Sequence, residues 1–260
     1  MWKRFFYQKT IELTNNRTTS KLLQLFATSK LSKHCISSYS KLYHIDTKDV
    51  VGPMNQFQSL QQFFTRKLKE EARPIDRREQ VITSPVDGKI ESFGEVTAQS
   101  HYVVKGKDYS LLDVFGQPDI ADSYVGGQYI VFYLSPSNYH RVHSPVDGQL
   151  LRQYFLGGKS YPVNQIGLTY GKKPLSHNYR CVTELQTECG KMAVVKVGAM
   201  FVNSIQLTEK KQQWTKGHEV GLFEFGSTVM VFFEKGKTSF TQNVQKDAII
   251  RVGEAFTYMV

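Results

Sequence analysis

The sequence predicts an α+β protein that is mainly β, with an antiparallel β-sandwich or barrel-like core and an N-terminal amphipathic helical region. Three observations predict it. Short runs rich in Val, Ile, Phe and Tyr alternate with glycine-containing turns through most of the chain. Apolar residues in residues 1–70 recur instead at helical spacing. A pentapeptide, Ser84-Pro-Val-Asp-Gly88, returns as Ser144-Pro-Val-Asp-Gly148 and leads into a strand-like run each time.

The helical region comes first. Trp2, Phe5 and Phe6 fall at i, i+3 and i+4, and Ser20 is placed to cap a helix carrying Leu22, Leu23 and Phe26. Leu60, Phe63, Phe64 and Leu68 form another stripe, which ends before Pro74. Residues 1–45 hold eight basic side chains and one acidic one, so most of the net charge of +10 sits there. Apolar faces interleaved with Lys and Arg suit an anionic bilayer surface, and residues 1–70 are expected to associate with a membrane. The plainer alternative is a helix packed on the β core with a solvated basic face.

Residues 71–260 read as one β-rich domain. Tyr129–Leu134, Met192–Val197 and Thr228–Phe233 are strand-sized apolar runs, and Glu234-Lys-Gly-Lys237 is a turn. None approaches the roughly 18–20 apolar residues that cross a bilayer. No secretory signal is visible, and three cysteines without metal-ligand spacing suit a reducing compartment. No Arg/aromatic nucleic-acid module is present. The expected location is therefore the cytoplasmic face of the cell membrane, peripherally bound.

Three segments carry side chains fit for chemistry: Asp87 in the first pentapeptide, His140 and His143 in Tyr-His-Arg-Val-His, and Ser227 in Phe225-Gly226-Ser227-Thr228. A carboxylate, an imidazole and a hydroxyl together make an activated nucleophile. Singly, each has an ordinary reading. Asp87 suits a turn, as does Asp147 in the second copy. The histidines, three apart, point to opposite faces of an extended segment. Gly-Ser before an apolar run is a common strand entry.

In combination and in this order, the segments resemble those of the phosphatidylserine decarboxylase family. Phe63-Phe-Thr-Arg-Lys-Leu-Lys69, Arg73-Pro-Ile-Asp76, Lys105–Ser110, Tyr161-Pro-Val-Asn164 and Val197–Ile205 are similar to family segments as well. The resemblance implies a self-processing proenzyme. Ser227 attacks the Gly226 carbonyl, with His143 as base oriented by Asp87, and the chain parts into 1–226 and 227–260. Ser227 becomes a covalent pyruvoyl group, the electron sink that pyridoxal phosphate supplies elsewhere. A Schiff base there decarboxylates phosphatidylserine to phosphatidylethanolamine, with His140 as candidate proton donor. The implied partners are the membrane lipid and the two chains of one precursor; a homodimer is the commonest assembly. Gly226 is expected to be there because a bare Cα permits close approach and unusual φ/ψ at the reacting bond. Phe225 departs from the family's common Leu, at a position expected to be buried. The rivals are a pyruvoyl decarboxylase of another serine derivative, a serine hydrolase using Asp87, His143 and Ser227, and a non-enzymatic basic membrane-binding β module. The hydrolase lacks the Gly-x-Ser-x-Gly elbow.

Overall fold

The computed structural model describes residues 17–199 and 204–260. In chain order the strands are β1 (Val81–Thr83), β2 (Gly88–Glu95), β3 (His101–Val104), β4 (Lys107–Ser110), β5 (Gln128–Leu134), β6 (Arg141–His143), β7 (Gly148–Leu156) and β8 (Arg180–Thr187). They continue as β9 (Gly190–Gly198), β10 (Ile205–Gln206), β11 (Gln213–Trp214), β12 (Glu219–Phe223), β13 (Ser227–Phe233), β14 (Thr238–Phe240), β15 (Ile249–Ile250) and β16 (Ala255–Met259). Eight of them form one antiparallel sheet in the order β11-β7-β8-β9-β13-β5-β2-β15. Its two ends are separate edges, so the core is an open sandwich and not a closed barrel.

The two faces of this sheet are covered differently. On β13, Val229, Val231 and Phe233 join a core with Ile82, Val142, Val220 and Phe256, which come from the small sheets β1-β16-β14 and β10-β12-β6. Met230 and Phe232 join the opposite core with Tyr102, Tyr109, Val114 and Phe115, from the β3-β4 hairpin and the helix Leu111–Phe115. A strand buried on both faces needs a continuous apolar run, and Thr228–Phe233 supplies it. Period 2 places Ser227 on the face of Val229, toward β10-β12-β6.

The repeated pentapeptide builds a local two-fold. Thr83 N donates to the Pro145 carbonyl at 3.0 Å, and His143 N donates to the Pro85 carbonyl at 2.8 Å. Ser84 Oγ bonds the Val86 carbonyl and Ser144 Oγ the Val146 carbonyl, both at 2.7 Å. Asp87 accepts from Val252 N at 2.9 Å, and Asp147 accepts from Lys216 N at 2.8 Å. The two copies are thus equivalent turns that start β2 and β7.

Three helices of the N-terminal region are α1 (Arg17–Thr28), α2 (Ile36–Leu42) and α3 (Leu60–Phe64). Ser20 lies inside α1 and does not cap it, because the helix already includes Arg17. The expected Trp2–Phe6 stripe lies outside the described residues. The Leu60–Leu68 stripe is helical only to Phe64: Ser59 Oγ accepts from Gln62 N at its start, and Leu68 instead bridges Val50. Leu22, Leu23, Leu25 and Phe26 are exposed, at 66%, 50%, 57% and 45%, so this face of α1 is not packed on the β core. Ile36, Ile45, Val50, Phe57 and Phe63 form a small core of their own.

Candidate active site

Ser227 opens β13 and is fully buried. Its backbone pairs with Leu134 on β5 and Gly198 on β9, so the Gly226–Ser227 bond sits at the mouth of a central strand. The Gly226 carbonyl accepts the Ala199 N–H at 2.9 Å. Attack by Ser227 Oγ on that carbonyl would put negative charge on this oxygen, and the Ala199 amide is already aimed at it. Gly226 is not in the left-handed region, and a Cβ added there meets only the Ala199 Cβ, at 3.8 Å, among the described residues. Among the described residues, neither a positive φ nor a close contact at Gly226 requires glycine there.

The imidazole in contact with Ser227 is His140, with Nδ1 at 3.4 Å from Oγ. His140 is fully buried, and its carbonyl accepts Phe223 N, tying the loop to β12. Phe64 of α3 stacks on the ring at 3.9 Å between centroids, and Phe225 stacks on Phe64 at 5.5 Å. Phe225 is half-buried, not buried as expected, and it extends the aromatic cover of His140. Burial first, then the Arg66 charge, lower the His140 pKa to about 3, so the ring is neutral and suited to accept the serine O–H. Its Nε2 has no well-formed hydrogen bond. Arg66 donates from Nη2 to the Ser137 and Asn138 carbonyls at 2.8 and 3.0 Å, holding the loop that leads to His140.

His143 and Asp87 stand elsewhere. His143 Nδ1 donates to the Gly217 carbonyl at 2.8 Å, which leaves Nε2 to accept from Tyr139 Oη at 3.2 Å. Burial lowers its pKa, partly offset by the Gly217 bond. The Asp87 carboxylate takes Arg73 Nε at 2.8 Å and Nη2 at 2.5 Å, besides Val252 N. It makes no hydrogen bond to His143, and His143 makes none to Ser227, among the described residues. A cavity of about 200 Å³ touches Asp87, Arg66, Arg73 and Tyr139. A larger one, about 770 Å³, lies between Pro74–Asp76 and Asn243–Ala255 and touches none of Asp87, His140, His143 or Ser227, so size does not locate the chemistry.

Asp87 and Asp147 differ in one respect: Asp87 is buried against Arg73, whereas Asp147 is exposed. Replacing Asp87 by Ala leaves a buried N–H without its acceptor and Arg73 with only the more exposed Asp49, 3.5 Å away, as a carboxylate partner among the described residues. The expected loss is about 3–5 kcal/mol of unfolding free energy, by denaturant melts. Asp147→Ala should cost about 1 kcal/mol. Equal, small losses in both variants would show that Arg73–Asp87 is not a structural clamp.

Sequence reasoning missed Phe64, Arg66, Arg73 and Ala199 as parts of this site. The runs Phe63–Lys69, Arg73–Asp76 and Val197–Ile205 are similar to family segments, but nothing local gives those residues a role.

The model of the phosphatidylserine decarboxylase family matches residues 60–258. The chain belongs to the phosphatidylserine decarboxylase family. It is 46% identical over 256 residues to the phosphatidylserine decarboxylase proenzyme of Anoxybacillus flavithermus, covering 98% of this chain and 97% of that one. It is 45% identical over 256 residues to that of Geobacillus kaustophilus, with 98% and 97% covered. For Bacillus thuringiensis strain Al Hakam the identity is 46% over 252 residues, with 97% and 96% covered. This family is pyruvoyl-dependent.

Proposed function

We propose that this chain is a phosphatidylserine decarboxylase proenzyme that cleaves itself between Gly226 and Ser227. The observation that carries the reading is a buried serine, at the entrance of a central strand, between a neutral imidazole and a carbonyl already held by a backbone amide.

The first step is an acyl shift within the chain. Ser227 Oγ bonds to the Gly226 carbonyl carbon, the peptide C–N bond breaks, and the hydroxyl proton ends on the freed nitrogen. His140 touches the hydroxyl and is placed to take that proton in transit. The Ala199 N–H stabilises the oxyanion. Loss of the Ser227 Cα proton with the Gly226 carboxylate gives a dehydroalanine; addition of water and release of ammonia leave the pyruvoyl group. The surroundings of residue 227 fit such a carbonyl group. Ser204 Oγ, buried without a partner among the described residues, packs against Gly198, the strand neighbour of Ser227. Ser204, His140 and the Ala199 amide are the groups that would hold it. A pyruvoyl carbonyl takes up the electron pair left when a substrate carboxylate departs as carbon dioxide. His140, in contact with residue 227, would return the proton to the substrate carbon.

His143 and Asp87 are proposed to act in maturation. As folded, His143 restrains Tyr139, the neighbour of His140, and Asp87 anchors Arg73. A direct base role for His143 requires its ring to leave Gly217 and Tyr139.

Intact mass of the purified protein tests the reading. The expected products are residues 1–226 and 227–260, the second 34 residues long with a blocked N-terminus and a hydroxylamine-sensitive carbonyl. Release of carbon dioxide from phosphatidylserine should accompany them. One uncut, active species of 260 residues would overturn it.

We further propose peripheral attachment to the membrane through α1. No described helix is long and apolar enough to cross a bilayer. Leu22, Leu25 and Phe26 are exposed beside Lys21 and Lys30. Truncation of residues 1–45 is a poor test, because Ile36 and Ile45 belong to a small core and Ser32 Oγ accepts from Leu60 N. Changing Leu22, Leu25 and Phe26 together to Ser should weaken binding to anionic vesicles at least about tenfold. Cleavage should be untouched, and unchanged vesicle sedimentation would count against α1. A homodimer is proposed only as the commonest closed assembly.

A further inference from the structure

A cavity of about 370 Å³ opens beside the loop that carries His140. Its polar lining comes from Gln62, Thr65, Arg66, Lys67 and Arg141, with Gln56 at one side, and no lining residue is acidic. Arg141 is already neutralised by two 2.8 Å bonds to Glu219. Arg66 is not. Its side chain is almost wholly buried, and among the described residues its Nη atoms donate only to the Phe63, Ser137 and Asn138 carbonyls and its Nε has no partner. Asp87, whose field reaches Arg66, is engaged by Arg73. A buried guanidinium without a carboxylate is costly and is stabilised by an anion. Lys67 follows it in sequence, is exposed, and has no ion-pair partner among the described residues.

Position narrows the anion. Arg66 holds the Ser137 and Asn138 carbonyls, three and two residues before His140, and Phe64, two residues before Arg66, stacks on that ring. The other wall includes Phe57, a member of the small core formed with α2. One wall of the cavity thus comes from the segment that follows Phe64, the ring on His140, and another from the small N-terminal core. We propose that Arg66 and Lys67 bind the phosphodiester of the lipid headgroup, directing its serine toward His140. This rests on phosphatidylserine being the substrate. Guanidinium and ammonium donors suit a phosphate oxygen pair, and Gln62 adds an amide.

The test uses two preparations of the full chain. In the processed enzyme, with monomeric short-chain phosphatidylserine, Lys67→Gln should raise KM about tenfold with kcat within twofold, and Lys67→Arg should restore it. In the uncleaved Ser227→Ala chain, calorimetry should show glycerophosphoserine binding that Lys67→Gln weakens to a similar extent. An unchanged KM and unchanged binding in Lys67→Gln overturn the proposal. Inorganic phosphate binding as tightly as glycerophosphoserine also overturns it, since the cavity would then hold free phosphate. If the processed wild type releases no carbon dioxide from the lipid while Lys67-dependent headgroup binding persists, the substrate reading fails and the site stands.

Discussion

A Ser227→Ala chain is expected to remain whole, folded and inactive. Mass spectrometry should find one species of 260 residues and no C-terminal fragment. Carbon dioxide release should fall to background, because the residue that becomes the electron sink is gone and no other side chain replaces it. The fold should tolerate the change. Ser227 pairs with β5 and β9 through its backbone, which Ala preserves, and among the described residues its hydroxyl makes one long bond of 3.4 Å, to His140. The cost is about 1–3 kcal/mol at most, chiefly for leaving Nδ1 of a buried ring unpaired. Turnover by an uncleaved Ser227→Ala chain would refute the pyruvoyl reading outright and would revive a cofactor supplied from elsewhere.

The second large effect is expected at His140. His140→Ala removes the ring in contact with residue 227, and general acid–base contributions of this kind are worth about 10²–10⁴-fold. Cleavage should slow, and turnover per cleaved molecule should fall by at least about 10². The ring is neutral down to about pH 3, so the cleavage rate should show no loss from His140 protonation between about pH 5 and 8. His143→Ala should act less directly, by freeing Tyr139 and the loop behind it. The reverse result is decisive too. If His140→Ala cleaves normally while His143→Ala stays whole, His143 is the maturation base and must swing from Gly217 and Tyr139 to reach Ser227. His140 would then keep only the proton step of turnover.

Much of this was legible in the sequence, for identifiable reasons. Thr228–Phe233 reads as a strand because six consecutive large or β-branched residues fit a position covered on both faces, and β13 is one. The two pentapeptides read as equivalent turns, and their serine and aspartate hydrogen bonds to the backbone correspond one to one. The α1 stripe reads as an apolar helical face, and its leucines are exposed. Helix limits were less legible. Ser20 looked like a cap because serine suits one, but a single serine also sits inside helices. The Leu60–Leu68 stripe continues past its helix because the chain turns at Thr65 to bridge Val50.

The site divided along a different line. Its residue types could be read directly, since chemistry is local to a side chain: Asp87, His140, His143, Gly226 and Ser227 stand out as a set. Which of them meet could not be read. Ser227 and His140 are 87 positions apart, and Asp87 and Arg73 are 14 apart. Such pairs are fixed by how β6, β12 and β13 stack and by where the first turn of the two-fold delivers its carboxylate. Asp87 and Asp147 have identical local sequences, and only the segment carrying Arg73, packed over one copy, makes them different. The sequence by itself determined the family of the chain, its mainly antiparallel core and the serine expected to be converted. Only the tertiary structure decided that His140 faces that serine, that Arg73 occupies Asp87, and that a buried Arg66 lacks a counter-ion among the described residues, because these depend on contacts between segments that sequence periodicity does not register.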